Sequence, residues 1–433
     1  MRTSRIILAA LALPLLAGCS SLLDNQSIGP AGVPAGGAMF TRYIALGTSI
    51  SAGVQSAGID DSTQQRAYPY LLAGAMGLTP GANWFYPAFN APGCPPPYTN
   101  PLTGARVGGF NDATGGGSLC GLVNPLKAPL QQNYYNNLGV PSMRVGQALH
   151  IAALLDPSTD TLGAAMFITG GRSPVAIVAG AQPTFVTVEL GANDALHAAT
   201  SGDTTLLTPL ALFTAQYDSL ATDIAAVPGV KVALANVPNV DNIPFLTKGQ
   251  VFFCLATGAC PGVPATAPFN SPNFVVDVSC APSAAGGVGD KMAVGFPATA
   301  KIAGVLAGGG GATLNCGAGT ASVITGPTPT PVGPVVGVAA MAAISARVAA
   351  FNGVIAGAAS SHGWAYANLD SAMAALVVAG AIPAFPNLTG TGPIFGNYIS
   401  LDGFHPSNAA HKLIADLFVA AIDHTYGKTL TPP

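Results

Sequence analysis

Short apolar runs alternate with amphipathic stretches along most of the chain. Arg42-Tyr43-Ile44-Ala45-Leu46 stops at Gly47 and has the pattern of a strand buried on both faces. A helix is predicted over 68–76, a weaker strand over 133–140 and a helix over 145–155. The run from Thr184 to Leu190 is rich in β-branched residues and predicts a second firm strand. Over 207–226, Phe213, Tyr217, Leu220 and Ile224 step along one helical face, and Pro228-Gly229 stops that helix. Strands follow at 231–235 and 364–369, separated by a long Ala-rich helix over 338–361 whose second half is weakened by Gly353 and Gly357. A final helix is predicted over 407–426, with Ile414, Leu417, Phe418 and Ala421 on its inner face.

Five strands alternating with helices argue for one α/β domain with a parallel sheet covered on both sides. Two stretches break the rhythm. Residues 79–132 are Pro/Gly-rich and hold Cys94 and Cys120; residues 243–337 hold Cys254, Cys260, Cys280 and Cys316. Both read as insertions at the C-terminal edge of the strands, where open α/β sheets bind ligands. The second is expected to cover the cleft and set substrate choice. No internal repeat is visible.

The first residues change the picture of where the chain works. Arg2 and Arg5 precede an apolar run from Ile6 to Ala17, which is shorter than the roughly 20 residues needed to span a bilayer. This is the pattern of a signal peptide over 1–18. Leu16-Ala17-Gly18-Cys19 resembles a bacterial lipobox, which implies lipidation of Cys19, a tether over 19–40 and an exported lipoprotein, and Ser20 rather than Asp after the cysteine favours the outer membrane by resemblance to enterobacterial sorting. The six remaining cysteines form an even set in an exported chain, and neighbours in sequence predict the pairs Cys94–Cys120, Cys254–Cys260 and Cys280–Cys316. The absence of Cys-x-x-Cys and of nearby histidine argues against zinc. Only 8% of residues are charged, against roughly 25% in an average soluble domain, and the net charge is −3. That balance gives no reason to expect nucleic acid.

Four short strings carry the candidate chemistry. Ser49 follows the first strand in Gly47-Thr48-Ser49-Ile50, and Gly191-Ala192-Asn193-Asp194 follows the strand at 184–190. The loop from Asn137 to Arg144 follows the weaker strand, and Asp402-Gly403-Phe404-His405-Pro406 precedes the last helix. A serine hydroxyl needs a base to become a nucleophile, and His405 is the candidate. Asp402, three residues earlier, can accept from the imidazole and fix its tautomer. Asp194 reads as a brace of its turn. His150, His197, His362, His411 and His424 read as surface or helix residues.

In their order along the chain, the four strings resemble the blocks of the SGNH/GDSL hydrolase superfamily over 41–428. The resemblance implies a three-layer, flavodoxin-like α/β/α sandwich with Ser49 as nucleophile and His405 and Asp402 completing a triad. It also implies an oxyanion hole made by the N–H groups of Ser49 and Ser142 and the Asn193 side chain. Two positions depart from the family pattern: Thr48 stands where an Asp is usual, and Ser142 aligns with the second-block glycine. Gly139 is the alternative donor under a shifted alignment.

These residues lead to the expectation of a serine esterase that acts through a covalent acyl-enzyme and requires no metal or organic cofactor. Its substrate would be a small-molecule or lipid ester, favoured by the apolar insertions and the membrane anchor. A carbohydrate acetyl esterase is the alternative, with Trp84, Phe85, Tyr86, Phe89 and Tyr98 as possible sugar platforms. A non-catalytic surface-binding lipoprotein on the same fold is the other.

Overall fold

The computed structural model describes residues 33–114, 133–155, 164–389 and 392–433. Its centre is a five-stranded parallel sheet: β1 (Tyr43–Gly47), β2 (Asn137–Gly139), β3 (Phe185–Glu189), β4 (Lys231–Ala235) and β5 (Ala365–Ala367). The spatial order is β5-β4-β3-β1-β2. That is the order of flavodoxin-like folds, and the crevice lies where the winding reverses, between β1 and β3. Residues Gly47 and Glu189 pair at the C-terminal end of that seam.

Alternate residues of each strand feed two separate cores, as the two-residue period of a strand requires. Ile44, Leu46, Val186, Val188, Val232 and Leu234 point to one face. There they meet Phe213, Tyr217 and Leu220 of the helix Leu210–Ala225 and Ile344, Val348 and Phe351 of the helix Val338–His362. Tyr43, Ala45, Phe185, Ala233 and Ala365 point to the other face. They pack on Tyr68 and Leu72 of the helix Tyr68–Ala75 and on Ile414, Phe418 and Ile422 of the last helix, Asn408–Tyr426. The protein is therefore a three-layer α/β/α sandwich. Ser407 caps the last helix through its hydroxyl, which accepts from the Ala410 N–H.

Several boundaries differ from the sequence reading. The strand predicted over 133–140 is confined to Asn137–Gly139. The Asn136 side chain takes up neighbouring backbone groups instead, donating to the Tyr43 carbonyl and accepting from the Phe85 N–H. The helix predicted over 145–155 is two short pieces, Val145–Leu149 and Ile151–Leu154, with an extended His150 between them. The tether predicted to end at 40 joins the fold earlier: Gly36 donates to the Met76 carbonyl, and Phe40 is fully buried. The domain also runs past 428, since Leu430 is buried.

The insertion over 243–337 folds around its own core, in which Phe252, Phe269, Phe274, Met292, Ile302 and Leu314 come together. Disulfides Cys254–Cys260 and Cys280–Cys316 hold it, as their sequence spacing predicts. The predicted partner of Cys94, Cys120, lies outside the described residues, as do Cys19, the signal peptide expected over 1–18 and the first part of the expected tether. From the insertion over 79–132, a two-stranded hairpin, Tyr98–Asn100 with Ala105–Arg106, stands beside the first crevice loop.

Candidate active site

β1 ends at Gly47, and Thr48 caps a single helical turn, Ser49–Ala52, that opens with the candidate nucleophile. The last helix brings the turn before it to the same crevice. His405 Nε2 and Ser49 Oγ are 2.8 Å apart, and His405 Nδ1 and Asp402 Oδ2 are 2.8 Å apart. All three residues are buried. The chain of contacts is that of a nucleophile, a base and an orienting carboxylate.

Asp402 has more partners than its histidine. Oδ1 accepts from the backbone N–H of His405 at 2.9 Å and of Phe404 at 3.1 Å, and from the Ser400 hydroxyl at 3.2 Å. Oδ2 also accepts from the Ala57 N–H. Burial alone would push the carboxyl up; the His405 charge and these hydrogen bonds outweigh it and hold the pKa at about 2. Asp402 is thus a carboxylate at neutral and mildly acidic pH. Sequence reasoning missed Ser400 and Ala57, and a backbone donor carries no signal in residue type.

Asn193 opens the helix Asn193–Ser201 directly after β3, and its amide nitrogen donates to the Met143 carbonyl at 3.1 Å. This bond ties the loop from Asn137 to Arg144 to the turn Gly191–Asp194. Gly191 holds φ +121°, and a Cβ there would lie 3.1 Å from Val237 and 3.3 Å from Phe213, so the turn needs glycine. Asp194 is the brace expected of it: it accepts from the Val145 N–H and the Thr208 hydroxyl, and burial pushes its pKa up to about 6.

The two candidates for the second-block donor differ in what their N–H groups do. The Gly139 N–H is engaged, donating to Asn137 Oδ1 at 3.0 Å. Ser142 adopts φ +64°, the left-handed conformation that a glycine would take there, and its N–H donates to no protein group among the described residues. Ser142 does not itself line the cleft.

Thr48, the departure from Asp, has a partner that the sequence did not disclose. Its N–H and hydroxyl both donate to the Glu189 carboxylate, which also accepts from Ser51 Oγ. Glu189 is fully buried with no cation paired to it among the described residues, and burial raises its pKa to about 6. A hydroxyl donor at 48 suits a carboxylate neighbour, whereas an Asp there would repel it. A lone acid inside an apolar strand was the available signal.

A cleft open to solvent lies above Ser49, with about 60 Å³ of space for water-sized groups. Its polar end is Thr48, Ser49, Asn193 and His405; the rest is apolar, with Ile50, Leu196, Val237, Val240, Val348 and Met373 in its wall. Of the insertion over 243–337, only Ile243 lines it, which corrects the expectation that this segment covers the cleft. The insertion instead braces the histidine turn: the Phe245 N–H donates to the Gly403 carbonyl, and its ring packs edge-on against Phe404. The expected sugar platforms are also absent from the wall. Trp84 and Phe89 are fully buried, and Tyr98 stacks on Arg106.

Among the other histidines, His150, His362 and His424 are exposed, and His197 is half-buried outside the cleft wall. His411 is fully buried, with Nδ1 accepting from the Tyr68 N–H at 3.3 Å. Burial holds its pKa at about 3, so it is neutral. In comparisons with known proteins, no family model, no curated protein and no solved structure matches this chain.

Proposed function

We propose that the protein is a serine esterase of the SGNH/GDSL kind that hydrolyses carboxylic esters of apolar acyl groups. The observation that carries this reading is the continuous Asp402–His405–Ser49 contact, 2.8 Å at each step, opening into an apolar cleft. Ser49 Oγ attacks the ester carbonyl carbon as its proton passes to His405 Nε2. The carbonyl oxygen becomes an oxyanion held by the N–H groups of Ser49 and Ser142 and by the Asn193 amide. Each such donor is worth about 2.7–4 kcal/mol in the transition state. The intermediate collapses, His405 protonates the departing alcohol, and Ser49 keeps the acyl group. Water, deprotonated by His405, then attacks the acyl-enzyme and releases the acid and free Ser49. Asp402 stabilises the imidazolium in both halves.

The apolar wall supports a lipid or acyl ester over a sugar acetate, because an acyl chain gains about 0.8 kcal/mol per buried methylene there. The signal-peptide pattern of residues 1–18 and the lipobox-like Cys19 support export as a lipoprotein anchored to the outer membrane. Reaction with an activated p-nitrophenyl ester should give a burst of product equal to the enzyme concentration. A fluorophosphonate should label Ser49 and abolish that burst. A protein that neither bursts nor takes the label is not a serine esterase. A Cys19→Ala chain should leave the detergent phase in which the wild type is found; equal partitioning rules out the anchor.

A further inference from the structure

The turn Gln55-Ser56-Ala57-Gly58 holds two consecutive non-glycine residues in the left-handed region, Ser56 at φ +54° and Ala57 at φ +51°. Such a pair is unfavourable and persists only where its surroundings impose it. Here the surroundings are two loops on opposite sides. The turn's N–H groups face the catalytic loop: Ser56 N–H donates to Ser400 Oγ at 2.8 Å, and Ala57 N–H donates to Asp402 Oδ2. Its carbonyls face the hairpin of the first insertion. The Ser56 carbonyl accepts from the Tyr98 N–H at 2.8 Å, and the Ala57 carbonyl accepts from Arg106 Nη1 at 3.1 Å. One peptide plane, from Ser56 C=O to Ala57 N–H, therefore bridges the hairpin to the triad acid.

Arg106 is built for this contact. Its side chain is buried, and the same Nη1 donates to the Pro96 carbonyl at 2.8 Å. Nε is held by Asp112 Oδ1, and the guanidinium lies 3.8 Å over the Tyr98 ring, whose hydroxyl also donates to Asp112. A planar fork fixed on three sides defines where the Ala57 carbonyl must sit.

We propose that Arg106 is a positioning residue for Asp402: through the strained Ser56–Ala57 turn it aims a backbone N–H at the carboxylate oxygen that also holds His405. The inference rests on the esterase reading above and gives the first insertion a role in it. Arg106 touches no reacting atom, so its loss acts on orientation and not on substrate binding.

The test is a double-mutant cycle on active-site-titrated enzyme. Arg106→Ala should lower kcat by about tenfold, the scale of a small misplacement of a catalytic group, with KM for a short activated ester unchanged. In the Asp402→Asn background the same change should cost less than about twofold, because residues that act as a unit are not additive. Ala57→Gly, which removes the left-handed penalty while keeping the N–H, should restore part of the loss in Arg106→Ala. Should Arg106→Ala fail to fold, Asp112→Asn frees the guanidinium from its exposed side and should show the same pattern more weakly. Unchanged kcat in the folded variant, or an equal loss with and without the Asp402 carboxylate, overturns the assignment while leaving the esterase reading intact. A wild type that neither bursts nor takes the fluorophosphonate label overturns both.

Discussion

Asp402 grips His405 twice: Oδ2 meets Nδ1 of the ring at 2.8 Å, and Oδ1 accepts from the same residue's backbone N–H at 2.9 Å. One carboxylate thus sets both the ring orientation and the turn that carries it. Asp402→Asn should keep the turn, since an amide oxygen can still accept from the backbone. It should nevertheless cut kcat by about 10⁴-fold, because the amide would favour the wrong imidazole tautomer. Ser49→Ala and His405→Ala should cost at least as much with the circular dichroism spectrum unchanged. Substantial residual turnover in Ser49→Ala would show another nucleophile at work.

The second-block donor can be separated from its alternative. Ser142→Gly keeps the N–H and suits φ +64°, so kcat should stay within a few-fold and stability within about 1 kcal/mol. Ser142→Val disfavours the left-handed conformation and should lose up to about 10²-fold in kcat by misdirecting one oxyanion donor. A Cβ at Gly139 would lie 2.3 Å from the Ala52 backbone nitrogen, so Gly139→Ala should lower the melting temperature whatever its catalytic effect. Full activity in Ser142→Val would remove Ser142 from the oxyanion hole.

His411 makes stability depend on pH in a defined direction. Its folded pKa is about 3 against the ordinary value of 6.5, so the unfolded chain binds the extra proton between those values. Stability is therefore lost as pH falls from 6.5 towards 3, by at most about 1.4 kcal/mol per pH unit from this group. Glu189 and Asp194, both raised to about 6, act the other way: the folded state holds their protons more tightly, so acidification through that value favours folding. His411→Asn, which can still accept from the Tyr68 N–H, isolates the first effect. The stability difference between variant and wild type, from urea melts, should shift in favour of the variant as pH falls below 6.5. A difference independent of pH would mean that His411 does not titrate on unfolding.

The two disulfides of the second insertion should differ in worth. Cys280–Cys316 spans 36 positions and Cys254–Cys260 spans 6. In the chain-entropy model these loops correspond to about 4 and about 2 kcal/mol. Paired Cys→Ala replacements should follow that order in denaturant melts monitored on the whole chain. The reverse order would mean that effects other than loop closure dominate there.

How much of this was legible in the sequence depended on how many residues carried each signal. The strands at Phe185–Glu189 and Lys231–Ala235 and the helix Leu210–Ala225 announce themselves through runs of apolar residues at a fixed period. Ser49, Asn193, Asp402 and His405 stand out as candidates because their side chains sit in recognisable short strings. The break at His150 has no local breaker, neither Gly nor Pro, so the sequence predicts a continuous helix there. The Ser56–Ala57 turn was invisible for a similar reason: neither residue type favours φ > 0, and long-range contacts impose it. The cleft wall differs from the sequence expectation because proximity to the sheet edge does not say which side chains converge there.

That wall leads to the last prediction. Met373, on the helix Leu369–Val378, lines the cleft yet remains partly exposed, so it can be changed without emptying the main core. Val348 lines the same space from the helix Val338–His362 but is fully buried and also belongs to that core. Met373→Trp should shorten the space for an acyl chain, and Met373→Ala should lengthen it. Each methylene denied burial costs about 0.8 kcal/mol, or about fourfold in kcat/KM. Across a series of p-nitrophenyl esters from acetate to decanoate, Met373→Trp should move the optimum to shorter chains with acetate hydrolysis preserved. Met373→Ala should move it to longer ones. If both variants keep the wild-type ratio of kcat/KM values across the series, the acyl chain lies elsewhere, and the apolar wall from Val237 to Ile243 does not hold it together with Met373.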